Sequence, residues 1–324
     1  MQPVGFPYNF SLREHLRSAL ALEPPELGLH DPWAEDLPGW RVALGERLAR
    51  LISLPETPAA PEARLLDQER RAGYTVSRLA LAVAADLAVP AYLLTPDPPP
   101  ETTPAVLCLS REPAGKAALA GELGAPDSAL GPVLCRRGLR VLIPDLPGCG
   151  ERAGDGAGLG ATLLAQGDSL VAWQAREALL FLAYLQAQPE TPPGQVGLVG
   201  VGEALLPALL AATLAPSLRA AAFHGSLEGL AAGLTRANCA AESDTLLPGL
   251  LPVADLPDLL ALLAPHPLLA AAEGDPPALA LTDAAYELQG AGSRCETHAG
   301  VPAADFPALA AEFLSVWLAA KLEP

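Results

Sequence analysis

Short apolar runs recur from residue 105 onward, each followed by a longer stretch: "AVLCLS" (105–110), "RVLIPD" (140–145), "QVGLVG" (195–200), "AAAFHG" (220–225), "PLLAAAE" (267–273) and "RCETHAG" (294–300). Helical patterns separate most of them, notably "SLVAWQAREALLFLAYLQAQ" and "ADFPALAAEFLSVWLAAKL". Strands without a polar face must be covered on both sides, and parallel pairing needs crossover helices. The alternation therefore predicts an α/β fold, a mainly parallel sheet flanked by helices. Upstream, "GYTVSRLALAVAADLAVPAYLLTP" holds two apolar stretches around Ala84-Ala85-Asp86 and reads as a hairpin or meander, which makes the sheet mixed.

The first 60 or so residues read as helical. "SLREHLRSALAL" starts on Ser11 with Glu14 three residues later, a capping-box pattern. "DLPGWRVALGERLARLISLP" repeats apolar residues at helical spacing, and prolines at 55, 58 and 61 end it. The expected organisation is a helical extension over 1–62 and one α/β domain over 63–324, with an irregular stretch, 231–258, forming a small cap. No repeat or long internal linker divides the chain.

With 324 residues, 51% of them hydrophobic, the chain can bury a large core, and its formal net charge of −17 keeps an Ala/Leu-rich surface soluble. That charge repels phosphate backbones and anionic membranes, so neither nucleic acid nor a membrane is an expected partner. No apolar run reaches the roughly 18 residues of a bilayer span. "MQPVGFPYNFSLREHLRSALALEPPELG" lacks the basic lead and apolar core of a secretory leader, and a cytoplasmic location is expected. Five scattered cysteines (Cys108, Cys135, Cys149, Cys239 and Cys295) read as reduced thiols, and five dispersed histidines lack metal-ligand spacing. Gly200-x-Gly202 follows a strand, but Leu205 stands where a dinucleotide fingerprint needs its third glycine. No metal and no cofactor are expected.

Taken in order, "VPAYLLTP", "PAVLCLS", "CRRGLRVLIPDLPGCGER", "AWQAREALLFLAYL", "QVGLVGVGEA", "LLALLAPHPLL", "EGDP" and "FPALAAEFLSVWL" resemble the α/β-hydrolase superfamily over roughly residues 40 to 320. Within it the chain is most similar to acetyl-xylan-esterase and dienelactone-hydrolase-like esterases with an N-terminal helical extension. The resemblance implies an α/β-hydrolase fold and ester hydrolysis by a Ser–Asp/Glu–His triad in that chain order. Matched residue by residue, the nucleophile elbow falls on Gly200-Val201-Gly202-Glu203-Ala204, so Gly202 stands at the serine position. Asp275, before Pro276, matches the acid, and Ala304 occupies the place of the histidine. The oxyanion region maps to Ser110, Arg111 and Glu203, where the loop after the first parallel strand often begins with His and Gly instead.

A hydrolytic centre needs an attacking oxygen and a base to take its proton; glycine and alanine supply neither. Loss of one triad member typically costs about four to six orders of magnitude in rate. The nucleophile of an elbow adopts a strained backbone conformation that glycine relaxes. Two readings follow. In one, the chain is a catalytically degenerate esterase homologue, a pseudoenzyme. It would bind a small acyl or sugar-ester-like ligand, or act as a protein partner or homo-oligomer. In the other, it is an active ester hydrolase with a rearranged site, pairing Asp275 with His298 as base and using Ser226 or Cys149 as nucleophile. Ser226 lies two residues from His224, and Cys149 sits on a glycine loop near Arg152.

Overall fold

The computed structural model describes residues 11–22, 24–29, 35–55, 59–124, 127–155, 158–235 and 243–319. A meander opens the sheet: β1 (Glu62–Arg71), β2 (Tyr74–Ala84) and β3 (Leu87–Pro96) pair antiparallel. The β2–β3 turn falls on the expected Ala84-Ala85-Asp86 break. The apolar pattern does not reveal β1, because nine of its ten residues are exposed. Backbone pairing alone places it at the sheet edge, and its alternating Glu, Asp and Arg side chains discourage pairing with another chain.

Six further strands follow the apolar runs: β4 (Ala105–Ser110), β5 (Arg140–Pro144), β6 (Val196–Val201), β7 (Ala220–His224), β8 (Leu268–Ala271) and β9 (Cys295–His298). The strand order is β1-β2-β3-β5-β4-β6-β7-β8-β9, with β3–β5 antiparallel and the remaining pairs from β5 to β9 parallel. Period-two alternation sends Leu107 and Leu109 of β4 into one core and Val106 and Cys108 into the other.

The helices are α1 (Leu12–Leu22), α2 (Leu37–Leu51), α3 (Lys116–Leu119), α4 (Leu130–Arg136), α5 (Leu159–Ala165), α6 (Leu170–Ala187), α7 (Leu205–Leu214), α8 (Leu230–Thr235), α9 (Leu256–Leu262), α10 (Pro277–Leu288) and α11 (Phe306–Ala319). Buried side chains of α2, α6, α7, α9 and α10 fill the first core, and those of α4 and α11 fill the second. Among the described residues, no helix is long and apolar enough to cross a membrane.

The N-terminal segment is packed into the first core. Trp40, Leu44, Leu48 and Ile52 are fully buried there, and the Trp40 indole N–H donates to the Leu27 carbonyl at 2.8 Å. At the N-terminus of α1, Ser11 Oγ accepts from the Glu14 N–H at 3.2 Å. Of the stretch expected as a cap, 236–242 lies outside the described residues, while Leu247, Leu250, Val253, Ala254 and Leu256 are buried in the first core. Cys239 also lies outside the described residues.

Candidate functional site

The turn after β6 is sharp because of two glycines. A Cβ on Gly200 would lie 2.5 Å from the Ala208 Cβ, so its absence lets α7 settle on the strand. Gly202 has φ +60, in the left-handed region that L side chains rarely enter, and a short 3₁₀ turn over Gly202–Ala204 leads into α7. A Cβ built on Gly202 would meet no atom within 4 Å. The tip of the elbow therefore faces open space.

That space is a cavity of about 740 Å³ at the carboxyl ends of β4, β6, β7 and β8. This is where parallel α/β sheets offer a crevice for ligands. Ser110, Gly202, His224, Ser226, Asp275 and Ala304 all line it. A second cavity of about 720 Å³ adjoins it and shares Gly202, Ser226 and Glu228. Leu205, Leu206, Leu230, Leu234, Leu246 and Leu256 make this second chamber apolar. The first chamber is acidic: Glu112, Glu228, Glu273 and Asp275 line it, with no lysine or arginine among its described lining residues.

The residues singled out in the sequence divide into those at this cleft and those away from it. Gly202, Asp275 and Ala304 share the first chamber, with Asp275 exposed just ahead of α10. Ser110 is buried at the end of β4 and its Oγ accepts from the Glu112 N–H at 3.0 Å. Glu203 sits in the first turn after the elbow with its carboxylate 3.7 Å from Arg111. Arg111 also donates to the Asp244 carbonyl at 3.2 Å, so it ties the loop after β4 to the turn at 243–245 and offsets the charge of Glu203.

Ser226 is exposed and lines both chambers, yet the His224 ring beside it is engaged elsewhere. His298 ends β9 in register with Ala271, and its nearest charged neighbour is Glu296, at 3.6 Å. It is not among the described residues lining either chamber, and no hydrogen bond joins it to Asp275. Strand register explains this: His298 stays at the sheet, whereas Asp275 is carried four residues beyond the end of β8. Cys149 is buried, and burial pushes its thiol above the ordinary value despite the nearby Arg111. A poised nucleophilic thiol needs the opposite shift.

Two buried ionic clusters hold the loops around the cleft. Asp145, fully buried after β5, accepts from the Lys116 N–H at 2.7 Å, from the Glu151 N–H at 3.0 Å and from the Lys116 ammonium. Arg152 meets Glu177 of α6 in a two-pronged pair at 2.8 and 3.0 Å, and the Trp173 indole N–H donates to the same carboxylate at 2.9 Å. Arg152 is therefore spoken for by Glu177 and does not activate Cys149. No group of His, Cys, Asp or Glu suited to a metal ion occurs among the described residues.

The sequence offers His224 only as a neighbour of Ser226, yet the structure places it in the cleft. His224 closes β7 beside Val201, is 5% exposed, and lines the acidic chamber. Its Nε2 lies 2.9 Å from the Val301 carbonyl and its ring packs 5.0 Å from Phe306. The signal was available: a histidine as the last residue of a central parallel strand sits at the ligand edge of the sheet.

A family model described as "Abhydrolase family" matches residues 18–162, a span that ends before the elbow. No curated protein matches the chain in sequence. Solved structures do match in fold. A Bacteroides fragilis protein provisionally assigned as an acetyl xylan esterase is 19% identical, with 90% of this chain and 83% of that one covered and a TM-score of 0.80. A glucuronoyl esterase from Solibacter usitatus is 19% identical over 91% of this chain and 97% of that one, TM-score 0.61. Acetyl xylan esterase 1 from a Thermoanaerobacterium species is 15% identical over 97% of this chain and all (100%) of that one, TM-score 0.53. The chain has the α/β-hydrolase fold and shares it with carbohydrate esterases.

Proposed function

We propose that this chain binds a small acyl or sugar-ester-like ligand at the carboxyl edge of its sheet and does not hydrolyse esters through a serine triad. The observation that carries this reading is the open elbow: Gly202 presents no oxygen to the cleft, and Ala304 on the facing loop supplies no base. Asp275 is the one acid left of the matched positions, and alone it can neither attack a carbonyl nor shuttle the serine proton. The paired chambers suit a ligand with an apolar acyl arm among the leucines and a polar part near Asp275. Fold likeness argues for esterase ancestry; the site residues argue against the chemistry. No observation favours the rearranged active site, since His298 faces Glu296 and Cys149 is buried.

The purified chain should turn over p-nitrophenyl acetate no faster than a buffer control and should not label with a fluorophosphonate. Gly202→Ser combined with Ala304→His should restore measurable turnover, whereas either change alone should not, because nucleophile and base act as a unit. Sustained turnover by the unmodified chain that vanished on Ser226→Ala or Cys149→Ala would overturn the reading.

A further inference from the structure

The apolar chamber beside the elbow continues beyond its own walls. Leu230, Leu234 and Leu246 line it and also line a third cavity of about 230 Å³. Leu164 of α5 and residues between Leu247 and Pro252 bound this cavity, and every described residue lining it is leucine, proline or glycine. At the opposite end Glu203, Ser226 and Glu228 gather near Gly202, and the last two also line the acidic chamber. From the first chamber to the third, the lining passes from polar to wholly apolar.

Within this run, α8 carries a glycine. The helix is held at its start by Asp255, whose carboxylate accepts from the Leu230 N–H at 2.6 Å and from the Ala231 N–H at 3.1 Å. Positions three and four apart share a helix face, so Gly233 lies on the face of Leu230 and beside Leu234. All three line the apolar chamber. A Cβ built on Gly233 would meet no atom within 4 Å, and its backbone is helical. Neither crowding nor a left-handed φ therefore calls for glycine, the poorest helix former after proline. Its missing side chain leaves width in the wall instead.

We propose, on the basis of the binding reading above, that the ligand's apolar arm is a straight alkyl chain of roughly eight to ten carbons, a size in keeping with cavities on the scale of a drug-sized ligand. The chain lies over Gly233 and passes the leucine junction into the third cavity, and Gly233 sets the length accepted. The ligand is then a single-chain fatty compound rather than an acetyl ester, because a two-carbon acyl group would leave most of this run empty.

The test titrates straight-chain primary alcohols, hexanol, octanol and decanol, calorimetrically into the full chain, each below its solubility limit. Affinity should rise about fourfold per added methylene, the value of a buried CH₂. Gly233→Leu puts a branched side chain into the passage and should cut decanol binding at least about tenfold, and hexanol binding by less. Its denaturation midpoint should hold or rise, because the new side chain meets no neighbour and favours the helix. Gly233→Ala adds only a methyl group and should keep decanol affinity within about threefold. Leu164→Gln, an exposed position at the far end of the run, should weaken decanol about threefold or more and leave hexanol unchanged. Decanoate titrated beside decanol shows whether the chain arrives on an acidic or a neutral head, and the tighter of the two should carry the same dependence on Gly233. No gain from hexanol to decanol, decanol affinity unaltered in a folded Gly233→Leu or in Leu164→Gln, or no saturable binding would overturn the inference. None of these outcomes bears on p-nitrophenyl acetate turnover, so the two readings fail separately.

Discussion

At Gly202 the backbone holds φ +60 over a cleft with no atom within 4 Å of a built Cβ. Steric crowding therefore does not explain the glycine; backbone strain does. Gly202→Ser should lower stability by about 1–2 kcal/mol, the cost of a left-handed L-residue, because the hydroxyl gains no packing partner. Equilibrium denaturation in urea measures this directly, and an unchanged or raised midpoint would remove strain relief as the reason for the glycine. Residue identity at Gly202 and Ala304 was plain in the chain, as was the acid before Pro276. Whether those positions faced an open cleft or a filled one was not, because that depends on side chains from four strands and their loops. The engagement of His224 Nε2 was equally invisible: its partner is a carbonyl 77 residues away in sequence.

Helices and strands set the cleft by where they stop. β4 and β5 end in loops that are joined by one fully buried carboxylate, Asp145, which accepts two backbone N–H groups and the Lys116 ammonium. Removing Asp145 leaves the buried Lys116 ammonium with only the exposed Glu151 carboxylate and strips two loop N–H groups of their acceptor. Asp145→Ala should cost about 3–5 kcal/mol, seen as a fall in denaturation midpoint, and should loosen the loop after Ser110 that carries Glu112. A loss under 1 kcal/mol would show that Glu151 and solvent satisfy Lys116 once Asp145 is gone. The strands β4 to β8 were legible from their apolar runs because burial on both faces writes a continuous signal, whereas β9 at the far edge is only partly buried. β1 was not, since a solvated edge strand needs only backbone partners and carries the composition of a loop.

Across the whole molecule, α2 acts as part of the core. Full burial of Leu44, Leu48, Ile52 and Trp40 contributes on the order of 6–12 kcal/mol, comparable to the entire stability of a typical domain. The same dense interior governs the response to alkali. Burial pushes the thiols of Cys135 and Cys295 up to about 12, raises Cys108 further, and holds the Tyr92 phenol at about 12. Each group is raised in the folded state, so its contribution is complete below the unfolded values, near 8.5 for thiols and 10 for phenols, and is lost as pH climbs toward the folded values. Denaturation midpoints should thus stay level from pH 7 to 8 and decline between pH 9 and about 11, with a shallower decline in Cys135→Ala. A level midpoint through pH 11 would contradict the burial of these groups.

Local pattern determined the alternating architecture, the meander and its turn, and the absence of an oxygen at the elbow, since each depends on residues near one another in the chain and on their apolar spacing. Tertiary structure decided the rest. Register carried His298 away from Asp275, packing drew α2 into the core, and the convergence of strand ends made one acidic and one apolar chamber meet at Gly202. Periodicity reports which face of an element is buried; it holds no record of which distant element lies against that face, and a cleft is built from those distant meetings.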